Sequence, residues 1–363
     1  VQSCLLKMLI DHEKKIENFI PEQSYKITGN FLVDDTLLEC VYQNKDMDYS
    51  EKSVLDFFKQ LQSTKEFYVD HVKKSKEKKY PPPPLITSSL QQMAQKDFGF
   101  SVSQTMSIAQ KLFENGKITY MRTDSTFICD DFKQTIQTYV ESNHGSNYYK
   151  EYVSKKIKGA QEAHEAIRPT DIHCQLSDKF TECDKKLYNL IMKTTITSHM
   201  KPAEYDVYTY NLQNKQIQGK FVGSHKFLQF PGFLDYSNKQ VVEKPFVFSK
   251  QSTCCLQQAK GKPTQTNPPQ YWNESSIVKQ LESSGVGRPS TYASIINTLY
   301  TRNYTEVTTI PETKQEIQAI KLKNDIVEIV EDYLKIPKQT KRIKVTELGL
   351  SLIHISEPTR QEA

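Results

Sequence analysis

The order in which helical and strand-like segments follow one another constrains this chain more than any single motif. Residues 4–19 carry Leu5, Leu6, Leu9 and Ile10 at helical spacing and stop near Pro21. From Tyr25 to Tyr42 the pattern changes to strand-like stretches, Tyr25-Lys-Ile-Thr28 and Phe31-Leu-Val33 among them. Lys73-Lys-Ser-Lys-Glu-Lys-Lys79, followed by Pro81 to Pro84, breaks the composition and reads as a solvated linker rather than a nucleic-acid patch. Helical periodicity then runs to about Met200, with Leu187, Ile191 and Met192 as a stripe. Strand-like stretches return from Tyr205 to about Leu256, and helices resume at Asn273. A helical block is therefore nested between two strand-rich segments, which are themselves nested between helices. That order implies one strand-rich domain interrupted by a helical one. No internal repeat is evident.

The length of 363 residues suits two or three domains, and 37% hydrophobic content with 17 Phe and 20 Tyr supports packed cores. No apolar run approaches the roughly 18 residues of a membrane span, and no signal-peptide pattern is present. The net charge of +5 is compatible with nucleic acid without arguing for it. Seven Cys, an odd count with no C-x-x-C pair, point to neither a disulfide framework nor a zinc ribbon, and fit a reducing compartment. Asp46-Met-Asp48 with Glu51 imitates an acidic cluster but sits in a polar stretch, where a solvated loop is expected. The chain opens on Val1-Gln2-Ser3 without Met, as a piece of something longer would. Residues Ser351 to Arg360 resemble a translated sequencing adapter, so 351–363 is expected to be a non-native tail.

Three segments carry chemistry. In Lys117-Ile-Thr-Tyr-Met-Arg-Thr-Asp-Ser125, Asn115-Gly116 ends a helix and residues 118–121 read as extended, so Tyr120 and Arg122 point to one side. Thr123, Asp124 and Ser125 offer N-caps for a following helix with Phe132, Ile136, Tyr139 and Val140 on its apolar face. A phenol, a guanidinium and a helix N-terminus at one spot suit a tyrosine attacking a phosphodiester; packing plus a surface charge is the plainer alternative. In Gln161-Glu-Ala-His-Glu-Ala-Ile-Arg-Pro169, His164 and Arg168 would share a face on a helix and bind phosphates, or serve only as hydrogen-bonding residues. Gly285-Val-Gly-Arg-Pro-Ser-Thr291 joins two helices, marked by Ile277 and Leu281 and by Tyr292, Ile295, Ile296, Leu299 and Tyr300. It presents Arg288 and helix N-terminal amides to a phosphate backbone, or simply packs two helices.

Together these segments resemble type IA DNA topoisomerases, bacterial topoisomerase I in particular. Pro83-Pro-Leu-Ile-Thr-Ser-Ser-Leu-Gln-Gln92, Met200-Lys-Pro-Ala-Glu204, Val345-Thr-Glu-Leu-Gly349 and Val1-Gln2-Ser3 add matches, covering about residues 1 to 350 in the family's order. The resemblance implies a multidomain α+β toroid core. Residues 1–20 and 265–350 would form a helical base, 21–80 and 204–264 a β-rich arch, and 81–203 a winged-helix-like catalytic domain. Tyr120 would be the nucleophile of a 5′-phosphotyrosine intermediate, with Arg122 and His164 as catalytic partners. Arg168, Arg288 and Thr291 would bind single-stranded DNA, and Gln2 lies in another contact segment. The family's Mg²⁺ belongs to a Toprim domain that this sequence does not contain, so none is expected on these residues and weak or no relaxation is expected from them alone. ATP is not needed, in keeping with the lack of a P-loop: Gly261-Lys262 is followed by Pro. The resemblance also implies a DNA-bound monomer in the cytoplasm, at the nucleoid, or in another reducing DNA-containing compartment. The alternatives are a single-stranded DNA-binding remnant and the topoisomerase III or reverse gyrase branch.

Overall fold

The computed structural model describes residues 2–64, 66–154, 164–237 and 247–356. In chain order the elements are α1 (Gln2–Glu17), β1 (Gln23–Val33), β2 (Thr36–Gln43), α2 (Glu51–Gln62), β3 (Glu66–Lys79), α3 (Thr87–Phe98), α4 (Val102–Glu114), α5 (Asp130–His144) and α6 (Glu182–Ser198). They continue with β4 (Ala203–Gln213), β5 (Lys220–Phe230), β6 (Thr253–Gln265), α7 (Glu274–Ser283), α8 (Tyr292–Thr301), β7 (Thr305–Ile310), β8 (Thr313–Lys323), β9 (Ile326–Ile336), β10 (Gln339–Val345) and α9 (Glu347–Ser356).

The arch is an antiparallel sheet in the order β1-β2-β5-β4-β3-β6, and β1 also pairs with β6, so the six strands close on themselves. Closure removes sheet edges, which otherwise invite pairing with another chain. The β1–β2 hairpin turns at Asp34 and Asp35, both at positive φ (44° and 62°), the geometry that matches the twist of the flanking strands. The interior is aromatic: Phe31, Phe67 and Phe221 meet edge to face, and Tyr42 stacks on Phe57 of α2 at 4.2 Å.

The Lys73–Lys79 run is not a linker. It is the far half of β3, paired with β4 down to Lys79↔Ala203 and ion-paired through Lys74–Asp206 (2.8 Å) and Lys78–Glu204 (2.7 Å). Period-two amphipathicity fails there because both faces are wet, and polar composition alone conceals the strand.

The excursion 313–336, which the resemblance assigns to the base as part of 265–350, packs instead with the strands of the arch. β8 pairs with β6 (Gln258↔Lys323 to Gly261↔Ile320), and Ile320 and Leu322 are buried in the arch core beside Val54 and Phe58. β8 takes the β6 edge that β3 leaves, since β3 pairs only with Thr253–Cys255. Before and after the excursion, β7 and β10 pair with each other, and Ile343 and Val345 bury in the base core with Leu5, Leu9, Ile277 and Leu299. The helical block has two cores of its own, one around Leu90, Leu112 and Ile191, the other around Ile136, Val140 and Ile196. α9 runs through Ser356, into the stretch expected to be a tail; residues 357–363 lie outside the described residues.

Candidate active site

Tyr120 is delivered by the end of α4. Gly116, at φ +66°, lets Lys117 N–H reach the Leu112 carbonyl and its own N–H reach that of Phe113, closing the helix and turning the chain. The next residues are tied to 166–170. Thr119 N–H donates to Arg168 O (2.9 Å), and its hydroxyl bonds Ala166 O (2.7 Å) and accepts from Arg168 N–H (3.0 Å). Thr170 N–H donates to Lys117 O, and Ile118 bridges Pro169. This short antiparallel contact carries His164 to the tyrosine: the two rings lie 6.4 Å apart, and Phe113 meets the phenol's other neighbourhood edge to face at 5.4 Å.

Residues 164–170 are therefore extended rather than helical, and the shared face inferred for His164 and Arg168 does not exist. Pro169 and the pairing to Thr119 explain this, since an extended strand partner outcompetes a helix that Pro would end. Gln161, Glu162 and Ala163 lie outside the described residues.

The N-cap expectation also fails. Thr123 Oγ1 accepts from Ser125 N–H and Ser125 Oγ from Phe127 N–H, so these side chains stabilise turns, and α5 begins only at Asp130. The helix N-terminus that does reach the tyrosine loop is that of α3. Thr87, fully buried, gives its hydroxyl proton to Met121 O (2.7 Å) and accepts from Thr123 N–H (2.9 Å), while its own N–H donates to Thr123 O (2.9 Å). Sequence reasoning matched Ile86-Thr-Ser to the family but gave Thr87 no role. Its signal is long-range and invisible to local periodicity.

Tyr120 is 41% exposed, Arg122 is exposed, and Met121 between them is fully buried, as alternating extended backbone requires. Among the described residues the Arg122 side chain has neither a hydrogen bond nor an ion pair, so its charge is available to an anion. Arg168 is different. Its guanidinium bonds Glu165 (2.7 Å), lies 4.0 Å over the Phe132 ring and leaves Nε buried without a partner. Burial pushes the Glu165 carboxyl up, but the Cys129 N–H and Arg168 outweigh it and hold the pKa below its ordinary value.

Across a seam stand α7 and α8. α7 ends as α4 does, with Gly285 at φ +65°, Val286 N–H on Leu281 O and Gly285 N–H on Glu282 O. Thr291 Oγ1 accepts from Arg288 N–H (2.9 Å) and bonds Arg288 O, which fixes the turn and leaves the Arg288 side chain exposed. The Tyr292 phenol is raised by burial and by Glu282 and Asp124, against the opposing pull of Arg288. Asp124, on the tyrosine loop, thus shares a neighbourhood with the turn. Ser88 Oγ donates to Glu282 (2.7 Å) across the seam, and Ser275 N–H to Gln95. Gln2 is not in this neighbourhood. It bonds Arg302 (3.2 Å), beyond the far end of α8, about 15 Å along the helix from Thr291.

Among the described residues no group of three His, Cys, Asp or Glu side chains could hold a metal ion; Asp48 instead caps Ser50 at the start of α2. All seven cysteines are free, and no described helix is long and apolar enough to cross a membrane.

The arrangement is that of a phenol and a free guanidinium held on one loop against a helical base, and a family model described as DNA topoisomerase matches residues 1–357. The chain belongs to this family, the type IA DNA topoisomerases. Among its relatives, "DNA topoisomerase 1 type prokaryotic" of Acanthamoeba polyphaga mimivirus is 32% identical, over 97% of this chain and 47% of the relative. "DNA topoisomerase 1" of Thermotoga maritima is 36% identical over 84% of this chain and 49% of the relative. The solved structure of full-length topoisomerase I from Thermotoga maritima superposes with a TM-score of 0.71 at 33% identity, covering 85% of this chain and 52% of that one. The fold is the α+β core of that family, and this chain spans about half the length of the relatives it matches.

Proposed function

We propose that this chain is the strand-cleaving core of a type IA topoisomerase that relaxes negatively supercoiled DNA through a covalent tyrosine intermediate. The observation that carries the reading is the exposed Tyr120 on a pinned loop, with Arg122, unpaired among the described residues, two residues away. The phenol oxygen attacks a backbone phosphorus. An O–P bond to the tyrosine forms as the bond to the 3′ oxygen breaks, leaving a 5′-phosphotyrosyl end and a free 3′-hydroxyl. Reversal reseals the strand, and because the ester conserves the phosphodiester's energy, no ATP is consumed.

Arg122 stabilises charge on the non-bridging oxygens, which is the main contribution a protein makes to phosphoryl transfer. His164, beside the phenol ring, orients the scissile group. Arg288, with Thr291 fixing its turn, and Gln2 further along the base contact the single strand. Arg168 acts on DNA indirectly, by bracing the segment that carries His164 and Thr119's partners. The Mg²⁺ expected of the family would be held by a part of the complete protein outside these residues and would assist the charge build-up at the scissile phosphate. We assign the working protein to a reducing, DNA-containing compartment and to a monomeric state.

The test uses the complete protein encoded at the source locus and a single-stranded oligonucleotide labelled at either end. The 3′-labelled fragment is expected to migrate with the protein on a denaturing gel, the 5′-labelled fragment to be released, and both effects to vanish in Tyr120→Phe. Retention of the 5′ label would reverse the polarity of attack. A complete protein that binds the strand but never becomes linked to it is a binding module.

A further inference from the structure

We infer that Thr87 is a positioning residue for the nucleophile, and that it ties the tyrosine loop to closure of the seam through its neighbour Ser88. The inference rests on the reading of Tyr120 as the nucleophile. Thr87 touches no reacting atom. Its three hydrogen bonds take the carbonyl before Arg122 and both backbone groups of the residue after it, so one buried side chain and its N–H fix the backbone on either side of the guanidinium. Few single residues can satisfy that many groups; a threonine hydroxyl has one proton to give and lone pairs to receive, and here both capacities are used.

The next residue faces the other way. Ser88 is 2% exposed and its hydroxyl donates to Glu282 of α7, while Gln95, two turns along the same face of α3, accepts from Ser275 N–H at the start of α7. Gln91 lies between them, fully buried, with neither its amide oxygen nor its nitrogen hydrogen-bonded. A buried amide left unsatisfied is destabilising, because it gives up water without gaining a protein partner. The closed seam is therefore held by these bonds, by Val102 N–H to Glu274 and Lys341 Nζ to Gly99 O, and by Val102 buried in the base core, beside an uncompensated group. α3 starts at Thr87, so a change in how Ser88 seats on Glu282 passes through one peptide unit to the residue that holds Met121 and Thr123. Closing the seam and placing Tyr120 become one event.

A fluorine label on the phenol reads this directly in the chain as it stands, without DNA or metal. With 3-fluorotyrosine at Tyr120, the folded chain gives one ¹⁹F line. Thr87→Val, nearly the same shape without the hydroxyl, is expected to broaden or split it, and Thr87→Ser to restore the single line. Ser88→Ala and Glu282→Ala leave all three Thr87 bonds in place. Each is nevertheless expected to move the Tyr120 line, and the double variant to move it no further than either single one, since both remove the same bond. Glu282 is exposed on the base, so its variant tests the link even where Thr87→Val unfolds the chain. A folded Thr87→Val with an unchanged line overturns the positioning role, and an unmoved line in Glu282→Ala overturns the link. Failure of the cleavage reading shows separately, as the absence of an oligonucleotide adduct while these line shifts persist.

Discussion

A guanidinium beside a candidate site can be left available or be used to brace the loops around it, and Arg122 and Arg168 differ in this way. Among the described residues Arg122 has no hydrogen-bond or ion-pair partner; Arg168 has its charge met by Glu165 and its plane covered by Phe132. Arg168→Ala is expected to destabilise the fold by about 1.5–3 kcal/mol, the range for a hydrogen bond to a charged group, read as a lower urea midpoint. The pair also sets a pH dependence. Glu165's carboxyl is held below its ordinary value in the folded chain, so near neutral pH it adds stability. That stability is full above the roughly 4.3 of a free glutamate and is lost as pH falls through the lower folded value. Urea midpoints measured from roughly pH 6 down to pH 3 should fall in the parent and fall less in Glu165→Gln. Equal acid limbs in the two proteins would remove the pair from the account.

Elements defined by their own periodicity were legible: the Gly116 end of α4, the return to helix at Asn273 before α7, and the stripe of α6 all stand where the spacing puts them. Elements defined by a distant partner were not. The second half of β3 is a strand because Asp206 and Glu204 meet its lysines, and 164–170 is extended because Thr119 pairs with it. Thr87 was passed over for the same reason: its partners lie 34 and 36 residues away. The family resemblance singled out Tyr120, His164 and Arg288 but could not say which arginine lacks a partner among the described residues. Gly349 in α9 shows a local rule reversed by packing. Gly→Ala inside a helix ordinarily stabilises by up to about 1 kcal/mol, but a Cβ here would stand 2.3 Å from the Tyr304 carbonyl oxygen. Gly349→Ala is therefore expected to cost about 1–3 kcal/mol in urea unfolding, as overpacking does; a gain would mean that α9 docks elsewhere.

At the scale of the whole molecule, base and arch share a chain four times, at residues 18–22, 266–273, 311–312 and 337–338, whereas arch and helical block share it only at 80–86 and 199–202. The excursion β8–β9 is what doubles the first count. Its Asp332 is pinned by Lys260 and Lys262, with Lys260 foremost in drawing the carboxyl down to about 2. Amides of Ala319–Leu322 are expected to exchange with solvent in the same cooperative unit as Lys260 and Gly261 of β6, not with β7 and β10. Exchange in step with β7 and β10 would assign the hairpin to the base.

Counted as a linkage, the body made of base and arch is a bracket riveted at four points, and the helical block is a plate on a two-pin joint next to Pro81–Pro84 and Pro202. Under load, rotation is taken up at the joint with fewer pins. The bonds that then bear on the base are those of Ser88 with Glu282, Gln95 with Ser275, Val102 with Glu274 and Lys341 with Gly99. The bracket keeps its shape while the plate swings, and the plate carries Tyr120 with it.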